Sequence, residues 1–432
     1  MNPREARRWL DGHLNLESGP APVTAGAVDD LSLDRMRSLV KVLGDPQQAY
    51  PVIHLTGTNG KGSTARMVEA LLRGHGLSVG LYTSPHLESV NERLVWDGRP
   101  ISDEELAEVL SDLAGVESLV DGDPSWFELV TAAGFAWFAQ QAVDVAVVEV
   151  GLLGRYDATN VADGIVAVVT NVGKDHTDGV GDWRKHVAQE KAGIIDPGST
   201  LVLGETDPAL VPIFEAEGPE RTWRRGRDVA VERNDVAVGG RLVTVRTPSG
   251  VLDELFLPLH GAHQGENLGL AVAAAEAFFD RPLDRDLVTE ALAELRLPGR
   301  FEVLGREPLL VLDGAHNVDG VRALATTLHD DFPPAPVSVV VLGMLAGRDP
   351  GEIVEALELT PYDVVICTTP ASPRALPAAE VADAVAAAGL ESEVVPDVAE
   401  AVDRATSLAG PEDRVIVTGS LYVVGAARSA LL

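Results

Sequence analysis

The sequence predicts an α/β protein made of two successive parallel sheets, each covered by helices. Short β-branched runs alternate with helix-patterned stretches over most of the 432 residues, which is typical of parallel sheets. A Gly-rich stretch at residues 56–63 lies directly between an apolar run and a helix-patterned one. Pro298-Gly299 interrupts this pattern, and the alternation of strand and helix begins again after it.

We expect the first domain to span residues 1–297. Its predicted strands are 52–56, 79–83, 143–150, 165–171 and 200–203, and its predicted helices are 64–74, 103–113, 127–141 and 183–193. Residues 229–257 differ, because Asn234-Asp235 and Gly239-Gly240 split them into short apolar runs. This pattern predicts a small antiparallel meander, followed by a helix at 266–279.

We expect the second domain to span residues 298–432. Its predicted strands are 309–313, 337–342, 363–368, 392–395 and 414–418, and its predicted helices are 318–329, 351–357, 378–388 and 399–408. Five strands alternating with four helices indicate a smaller doubly wound, Rossmann-like domain.

Charge and composition exclude several classes of protein. The formal net charge is −32, so binding to nucleic acid or to an anionic membrane is not expected. One cysteine, Cys367, excludes an internal disulfide and a multi-cysteine zinc site. The first residues carry no signal pattern, and no apolar run is long enough to span a membrane. We therefore expect a cytoplasmic protein, with a monomer as the default.

Residues 56–63, Thr-Gly-Thr-Asn-Gly-Lys-Gly-Ser, have the features of a phosphate-binding loop. The glycines allow the backbone N–H groups to approach an anion closely, and the next helix begins beside it. Lys61 supplies a positive charge for the outer phosphates, and Ser63 a hydroxyl. Only Thr58 and Asn59 lie before Gly60-Lys61, fewer than in the common form of the loop. ATP binding is favoured over an empty Gly-rich turn.

Several polar side chains follow the predicted strands of the first domain. Ser84, Glu149, Asn171 and His176 each lie just after an apolar run. Because carboxyl ends of parallel strands meet at one edge of a sheet, we expect these groups to converge near the phosphate loop. Ser84, Glu149 and His176 could together hold Mg²⁺. A capping carboxylate and an ordinary loop histidine are the alternatives.

The loop after Glu149, residues 151–160, contains Gly, Arg and Asp. It could bind a substrate or ATP, or it could be an ordered turn, and periodicity does not decide between these. Lysine occurs only at positions 41, 61, 174, 185 and 191. Because lysine is so rare here, each lysine is a stronger functional candidate than usual.

Taken together, these motifs resemble folylpolyglutamate synthases, a family that includes bifunctional dihydrofolate synthases and belongs to the Mur ligase superfamily. Besides residues 56–63, the resemblance rests on 82–87, 91–93, 175–177, 190–194, His263-Gln264 with Asn267, 297–301 and 313–317. It covers nearly the whole chain in order. It implies a first domain like the central domain of Mur ligases, with ATP bound in the cleft between the two domains.

The resemblance implies an ATP-dependent amide ligase that adds L-glutamate to tetrahydrofolate, and in bifunctional members to dihydropteroate, through an acyl phosphate. It implies roles for matching residues as follows. The nucleotide would contact Thr58, Asn59, Gly60, Lys61, Gly62, Ser63, Asn267, Arg300, Asp313 and His316. The pterin-bearing substrate would contact Phe127, Glu128, Arg155, Tyr156, Asp157 and Ala158. One Mg²⁺ would be held by Ser84, Glu149 and His176, and Lys191 would help to bind a second Mg²⁺.

Within this set, Lys61, Lys191 and His176 are the expected catalytic residues. Lys191 matches a lysine that is carboxylated in relatives, and from the residues alone an ordinary contact at a helix C-terminus is the alternative. The chain departs from the family pattern at Leu153, Tyr156, Lys174 and Gly347-Arg348. These departures concern substrate identity more than reaction type.

Two other functions compete with the leading one. A related Mur-type ligase could act on a cell-wall precursor or another non-folate carboxylate. Against it stand the segment Ser84-Pro85-His86 and the lack of an extra nucleotide-sugar domain before residue 50. A nucleotide-binding regulator without catalysis is the second alternative, and the joint presence of Lys61, Glu149, His176 and Lys191 argues against it.

Overall fold

A computed structural model describes residues 1–15, 32–174, 177 and 179–432. In this part of the chain, the first sheet has the spatial order β4-β3-β2-β5-β1-β6-β7-β8. Its strands are β1 (Val52–Thr56), β2 (Val79–Tyr82), β3 (Leu94–Trp96), β4 (Arg99–Pro100), β5 (Val145–Glu149), β6 (Gly164–Val169), β7 (Thr200–Leu203) and β8 (Arg221–Arg224). All neighbours are parallel except at the β2-β3-β4 edge.

Helices cover both faces of this sheet. They are α1 (Pro3–Leu10), α2 (Asp34–Val42), α3 (Lys61–Gly74), α4 (Asp103–Val116), α5 (Trp126–Gln140), α6 (Trp183–Ala192), α7 (Val211–Glu215), α8 (Ala262–Phe279) and α9 (Arg285–Ala293). Helices α3 and α8 share one apolar core with the sheet, and α4 and α5 share a second core on the opposite face. Strand β1 is buried throughout, as its continuous apolar run predicts.

The predicted meander at 229–257 is confirmed as a three-stranded antiparallel sheet, β11-β10-β9. Its strands are β9 (Ala230–Ala237), β10 (Gly240–Thr247) and β11 (Gly250–Leu257). The break between strands that Asn234-Asp235 indicated was a wrong prediction, because β9 continues through both residues. Asn234 pairs with Val243, and the Arg241 side chain donates to the Asn234 side chain at 2.6 Å and to its carbonyl at 2.6 Å. Asparagine usually favours turns, but here its polar groups are hydrogen-bonded within the sheet.

The second sheet has the order β12-β13-β17-β14-β15-β16, with β12 antiparallel and the others parallel. Its strands are β12 (Glu302–Arg306), β13 (Leu309–Leu312), β14 (Ser338–Leu342), β15 (Val364–Cys367), β16 (Glu391–Val394) and β17 (Arg414–Thr418). Its helices are α10 (Val318–Asp330), α11 (Pro350–Ala356), α12 (Ala378–Ala387), α13 (Val398–Leu408) and α14 (Leu421–Leu431). The predicted class, two helix-covered parallel sheets in succession, is confirmed.

Strand order places the ligand crevice of the first sheet. Strand β1 lies between β5 and β6, and β2 lies beyond β5, so the connection from β1 to β2 crosses the sheet in one direction and the connection from β5 to β6 crosses it in the other. An open parallel sheet binds ligands outside the carboxyl ends of its strands at such a point. Among the helices of the described residues, none is both long enough and apolar enough to cross a membrane.

Candidate functional site

The phosphate loop connects β1 to α3, whose first residue is Lys61. Gly60 has a φ of 83°, and a Cβ built there would lie 2.5 Å from the Asn267 side-chain oxygen. Glycine is therefore required at this position both by the backbone conformation and by the close approach of helix α8. The same contact brings Asn267, a predicted nucleotide contact, to the loop.

Two residues after β6 brace the loop from the other side. The Asn59 N–H donates to the Asn171 side chain at 3.0 Å, and the Asn171 amide donates back to the Asn59 carbonyl at 2.9 Å. The Thr170 hydroxyl donates to the same carbonyl at 2.6 Å. The loop is thus held in place by hydrogen bonds of its own fold.

Lys61 and Lys191 converge on one backbone oxygen. Nζ of Lys61 donates to the Gly57 carbonyl at 3.1 Å and to the Thr58 carbonyl at 3.3 Å. Nζ of Lys191, which is only 4% exposed, donates to the Gly57 carbonyl at 2.7 Å. The structure therefore places two of the rare lysines beside the phosphate loop.

Ser84 and Glu149 meet at the carboxyl ends of β2 and β5. The Ser84 N–H donates to Oε2 of Glu149 at 3.1 Å, and both residues are buried. Burial raises the pKa of Glu149, while Lys61, the Ser84 N–H, Arg300 and Arg66 favour its ionised form. The buried Ser84 hydroxyl makes no hydrogen bond within the described residues. An unsatisfied hydroxyl beside a buried carboxylate is a suitable oxygen donor set for Mg²⁺.

His176, the third expected metal ligand, lies outside the described residues, as does Asp175. In the described part of the chain, no group of at least three His, Cys, Asp or Glu side chains is arranged to hold a metal ion. The fit to Mg²⁺ therefore rests on Ser84 and Glu149 together with oxygens from other sources, which suits an ion that usually keeps several waters.

The second sheet contributes Arg300, Asp313 and His316. Asp313 follows β13 and accepts from the Phe301 N–H at 2.7 Å and from the Ala315 N–H at 2.9 Å. Burial raises the pKa of Asp313, and Arg300 opposes this effect. Nδ1 of His316 lies 2.9 Å from the Gly314 carbonyl. Asp313 thus holds the turn carrying Arg300 against the loop carrying His316.

A cavity of about 290 Å³ lies between the two sheets. From the first part it is lined by Arg35, Ser84, Pro85, Phe127, Glu128, Leu152, Leu153, Tyr156, Asp157, Ala158 and Glu190, among others. From the second part it is lined by His316, Leu345, Arg348, Arg374 and residues 419–422. All predicted substrate contacts except Arg155 therefore face one cavity, whose lining is both aromatic and charged.

Two of these predicted substrate residues already have structural partners. Glu128 caps its own helix by accepting from the Ser125 N–H at 2.7 Å, and it also pairs with Arg35 at 2.8 Å. Asp157 accepts from the N–H groups of Leu152 and Thr159 at 2.8 and 3.0 Å. Both carboxylates shape the cavity wall through these hydrogen bonds.

Arg155 does not reach the cavity. Its guanidinium forms an ion pair with Glu217 and donates to the Gln189 carbonyl at 3.1 Å. Gln189 belongs to α6 and Glu217 follows α7, so Arg155 fixes the loop after β5 against these elements. A loop sequence does not reveal which way a long side chain turns, and the prediction missed this.

A second cavity, of about 270 Å³, adjoins the start of α3. Gly62, Ser63, Ser84, Glu149 and Arg300 line it, as does Arg66 one turn into the helix. Arg66 lies outside the loop motif and was not among the predicted site residues. The available signal was its position three residues after Ser63 on a helix that begins at an anion site.

The structure shows where the residues that depart from the family pattern lie. Lys174 pairs with Glu352 of α11 at 2.9 Å, across the two parts of the chain. Leu153 has a φ of 60°, a left-handed conformation in which glycine would be unstrained. Arg348 lines the first cavity. Leu153 and Arg348 thus differ from the family pattern where a substrate would be bound.

Comparison with known proteins places both parts of the chain. Residues 126–275 match the Mur ligase middle domain, and residues 299–421 match the Mur ligase glutamate ligase domain. The dihydrofolate synthase/folylpolyglutamate synthase of Mycobacterium tuberculosis is 39% identical over 93% of this chain and 90% of the relative. The protein of the same name from Bacillus subtilis is 31% identical over 99% of each chain.

Solved structures agree with the sequence matches. The folylpolyglutamate synthase of M. tuberculosis complexed with ADP superposes with a TM-score of 0.91 at 36% identity, covering 99% of this chain and 98% of that one. Escherichia coli FolC in complex with DHPP and ADP superposes with a TM-score of 0.86 at 29% identity, covering 99% and 97%. The chain belongs to the folylpolyglutamate synthase and dihydrofolate synthase family of the Mur ligase superfamily.

Proposed function

We propose that this protein is an ATP-dependent ligase that joins L-glutamate to the carboxylate of tetrahydrofolate, with dihydropteroate as the substrate of a second activity. One observation carries the proposal. The two cavities share Ser84, Pro85 and Leu421, so the substrate cavity opens beside the start of α3 and the phosphate loop. A carboxylate bound in the first cavity can therefore meet a terminal phosphate held at the loop.

The nucleotide contacts proposed are the phosphate loop, Asn267, Arg300, Asp313 and His316. Support comes from the contact of Asn267 with Gly60 and from the coupling of Arg300 to Asp313. Because these groups come from both sheets, we infer that the nucleotide binds in the cleft between them. We propose a monomer as the active unit.

The proposed reaction has two steps, phosphoryl transfer to the substrate and attack by glutamate. An oxygen of the substrate carboxylate attacks the γ-phosphorus, the bond to the β-γ bridging oxygen breaks, and ADP leaves. Lys61 and Arg300 offset charge on the phosphoryl group during this transfer. The neutral amine of glutamate then attacks the acyl carbon, phosphate departs, and the nitrogen loses its extra proton. Arg348 and Arg374 bring positive charge to the cavity, which suits an amino acid with two carboxylates.

Mg²⁺ fits the proposed site through Ser84 and Glu149, and the proposal keeps His176 as the third ligand expected from the sequence alone. When bound, the ion would supply positive charge to the phosphate oxygens. We propose further that Lys191 carries a carboxyl group formed with CO₂. The resulting anion would relieve the crowding of two ammonium groups at the Gly57 carbonyl, and it would provide oxygen to a second metal ion.

Phosphate release from ATP, followed by mass analysis of products, tests the proposal. Purified protein is incubated with ATP, Mg²⁺ and glutamate, together with tetrahydrofolate, dihydropteroate, a Mur-type peptide precursor or no acceptor. We expect phosphate release and a product heavier by one glutamyl unit with the pteridine substrates. Turnover only with the peptide precursor would establish the competing ligase, and ATP binding without turnover on any acceptor would favour the regulator.

A further inference from the structure

Arg66 is a half-buried arginine on α3 that faces the second cavity together with Ser63, Glu149 and Arg300. Its guanidinium makes no hydrogen bond to a described residue and no ion pair within 4.0 Å of one. Arg73, on the same helix, instead pairs with Glu69 at 3.1 Å. The arginine nearer the phosphate loop is thus the one whose donors are unused.

Burial disfavours the positive charge of the Arg66 guanidinium. Burial lowers the pKa of Arg66, while Glu149, Glu92 and Glu69 favour the charged form without contacting it. Arginine carries five N–H donors in a planar fork that matches phosphate oxygens. A partly desolvated fork without a partner is the arrangement expected of a residue whose partner is an anionic ligand.

Arg300 is a second arginine that faces this cavity. It lines the same cavity from the second part of the chain, and its charge disfavours the charged form of Arg66. Two like charges facing one cavity repel each other until an anion lies between them. The chain as a whole has a net charge of −32, so a phosphate can be held only where cations are concentrated in this way.

We propose that Arg66 binds a phosphate group of the nucleotide from the side of α3, opposite Arg300. Arg66 is fixed on a rigid helix that begins at the phosphate loop, whereas Arg300 belongs to the segment that leads into the second sheet. A phosphate bridging the two arginines would draw the two parts of the chain together. The proposal rests on the proposed function, because it takes a nucleotide to be the ligand.

The competing explanation is that Arg66 only balances the charge of the surrounding carboxylates. In that case its loss would destabilise the fold and affect all ligands alike. The two explanations differ in one readout, the preference of the site for phosphorylated over unphosphorylated nucleosides.

The test measures dissociation constants for ADP and for adenosine by calorimetry, in the absence of a folate, together with the melting temperature. The variants are Arg66→Gln and Arg66→Lys, with Arg73→Gln as the control on the same helix. We expect Arg66→Gln to weaken ADP binding by about 10- to 100-fold, as for a lost charged hydrogen bond, while adenosine binding is unchanged. Arg66→Lys should be intermediate, and Arg73→Gln should bind ADP like the parent protein.

Unchanged ADP affinity in Arg66→Gln, or equal losses for ADP and adenosine, would overturn the role of Arg66. Should Arg66→Gln fail to fold, Arg66→Lys decides, because it retains the charge and loses the fork. A parent protein that does not bind ADP would remove the proposed function as well. A parent protein that binds ADP and a variant that binds it equally well would remove only this inference.

Discussion

Asn59 and Asn317 form a reciprocal pair of amides between the phosphate loop and the second part of the chain. The Asn59 amide donates to Oδ1 of Asn317 at 3.3 Å, and the Asn317 amide donates to Oδ1 of Asn59 at 3.0 Å. Oδ1 of Asn317 also accepts from the Gly320 N–H at 2.8 Å, capping α10. A residue of the loop that would hold ATP is therefore bonded directly to a helix of the second sheet.

Asn317→Asp should separate these two roles. Aspartate still caps α10, but it can no longer donate to Asn59, and it places a negative charge near the bound phosphates. We expect kcat/KM for ATP to fall about 10-fold or more, with a melting temperature close to that of the parent, because a lost hydrogen bond of this kind is worth ~1 kcal/mol and charge repulsion adds to it. The control is Asp397→Asn, which changes a cap of α13 and should leave the kinetics unaltered. Equal kinetic effects in both variants would contradict the assignment.

The Arg241–Asp331 pair should be a major source of stability. Nη1 of Arg241 lies 2.5 Å from Oδ1 of Asp331, with side chains 7% and 0% exposed. Asp331 also accepts from the Gly261 N–H at 2.8 Å, so the pair ties the meander and the start of α8 to the end of α10. We predict that Arg241→Gln lowers the free energy of unfolding by about 3–5 kcal/mol, because a buried carboxylate loses its partner.

Arg246→Gln is the matched control for that measurement. Arg246 lies on the same strand and pairs with Glu232, and both side chains are more than one-third exposed. Its replacement should change stability by about 0.5 kcal/mol or less. Denaturant unfolding of the two variants measures the difference, and similar losses in both would show that burial of the pair contributes little.

Asp313 should affect both binding and stability. From sequence, Asp313→Ala is expected to impair ATP use with little loss of stability. The structure changes the second half of that expectation, because alanine would leave the N–H groups of Phe301 and Ala315 without their acceptor. Each unsatisfied donor costs about 1–3 kcal/mol. Asp313→Asn keeps one carbonyl acceptor and should lose less stability, while still raising KM for ATP. Unchanged KM values per folded molecule in both variants would reduce Asp313 to a purely structural residue.

The proposed carboxylation of Lys191 can be tested directly. Incubation with ¹³C-bicarbonate should give a carbamate carbon resonance that disappears in Lys191→Ala and persists in Lys185→Ala. Lys185 lies on the same helix, is exposed and pairs with Asp182 at 3.0 Å. Lys191→Ala should also be inactive and regain part of its turnover with added short carboxylic acids. A resonance that survives in Lys191→Ala, or full activity of that variant, would rule out the modification.

The repeated parts of the fold could be predicted from sequence because each central strand is a short apolar run bounded by polar or Gly-containing segments. Helix α14, by contrast, was missed because Leu421–Leu431 is largely small and apolar, without a polar face to mark its period. The edge strands β3, β4 and β12 were missed because they are short or, in β12, interrupted by an irregular register at Gly305. The division at residues 297 and 298 stays a prediction.

The site was predictable where its residues follow strands and not where it depends on packing. Ser84 and Glu149 meet because β2 and β5 are neighbours, which the strand-end rule anticipates. The position of Arg66 after Ser63 is a weak sequence signal, and only the fold shows its unused donors and the nearby Arg300. Arg155 was predicted to contact the substrate, but it pairs with Glu217, which is distant in sequence, and does not line the cavity.

The proposed reaction depends on activation of a substrate carboxylate by the γ-phosphoryl group of ATP. Tetrahydrofolate labelled with ¹⁸O in its reactive carboxylate tests this most directly, with mass analysis of the phosphate, nucleotide and folate products after turnover with glutamate. We expect ADP to form and one ¹⁸O per turnover to appear in inorganic phosphate. Appearance of the label in AMP, or formation of the glutamyl product with no label in phosphate, would contradict it.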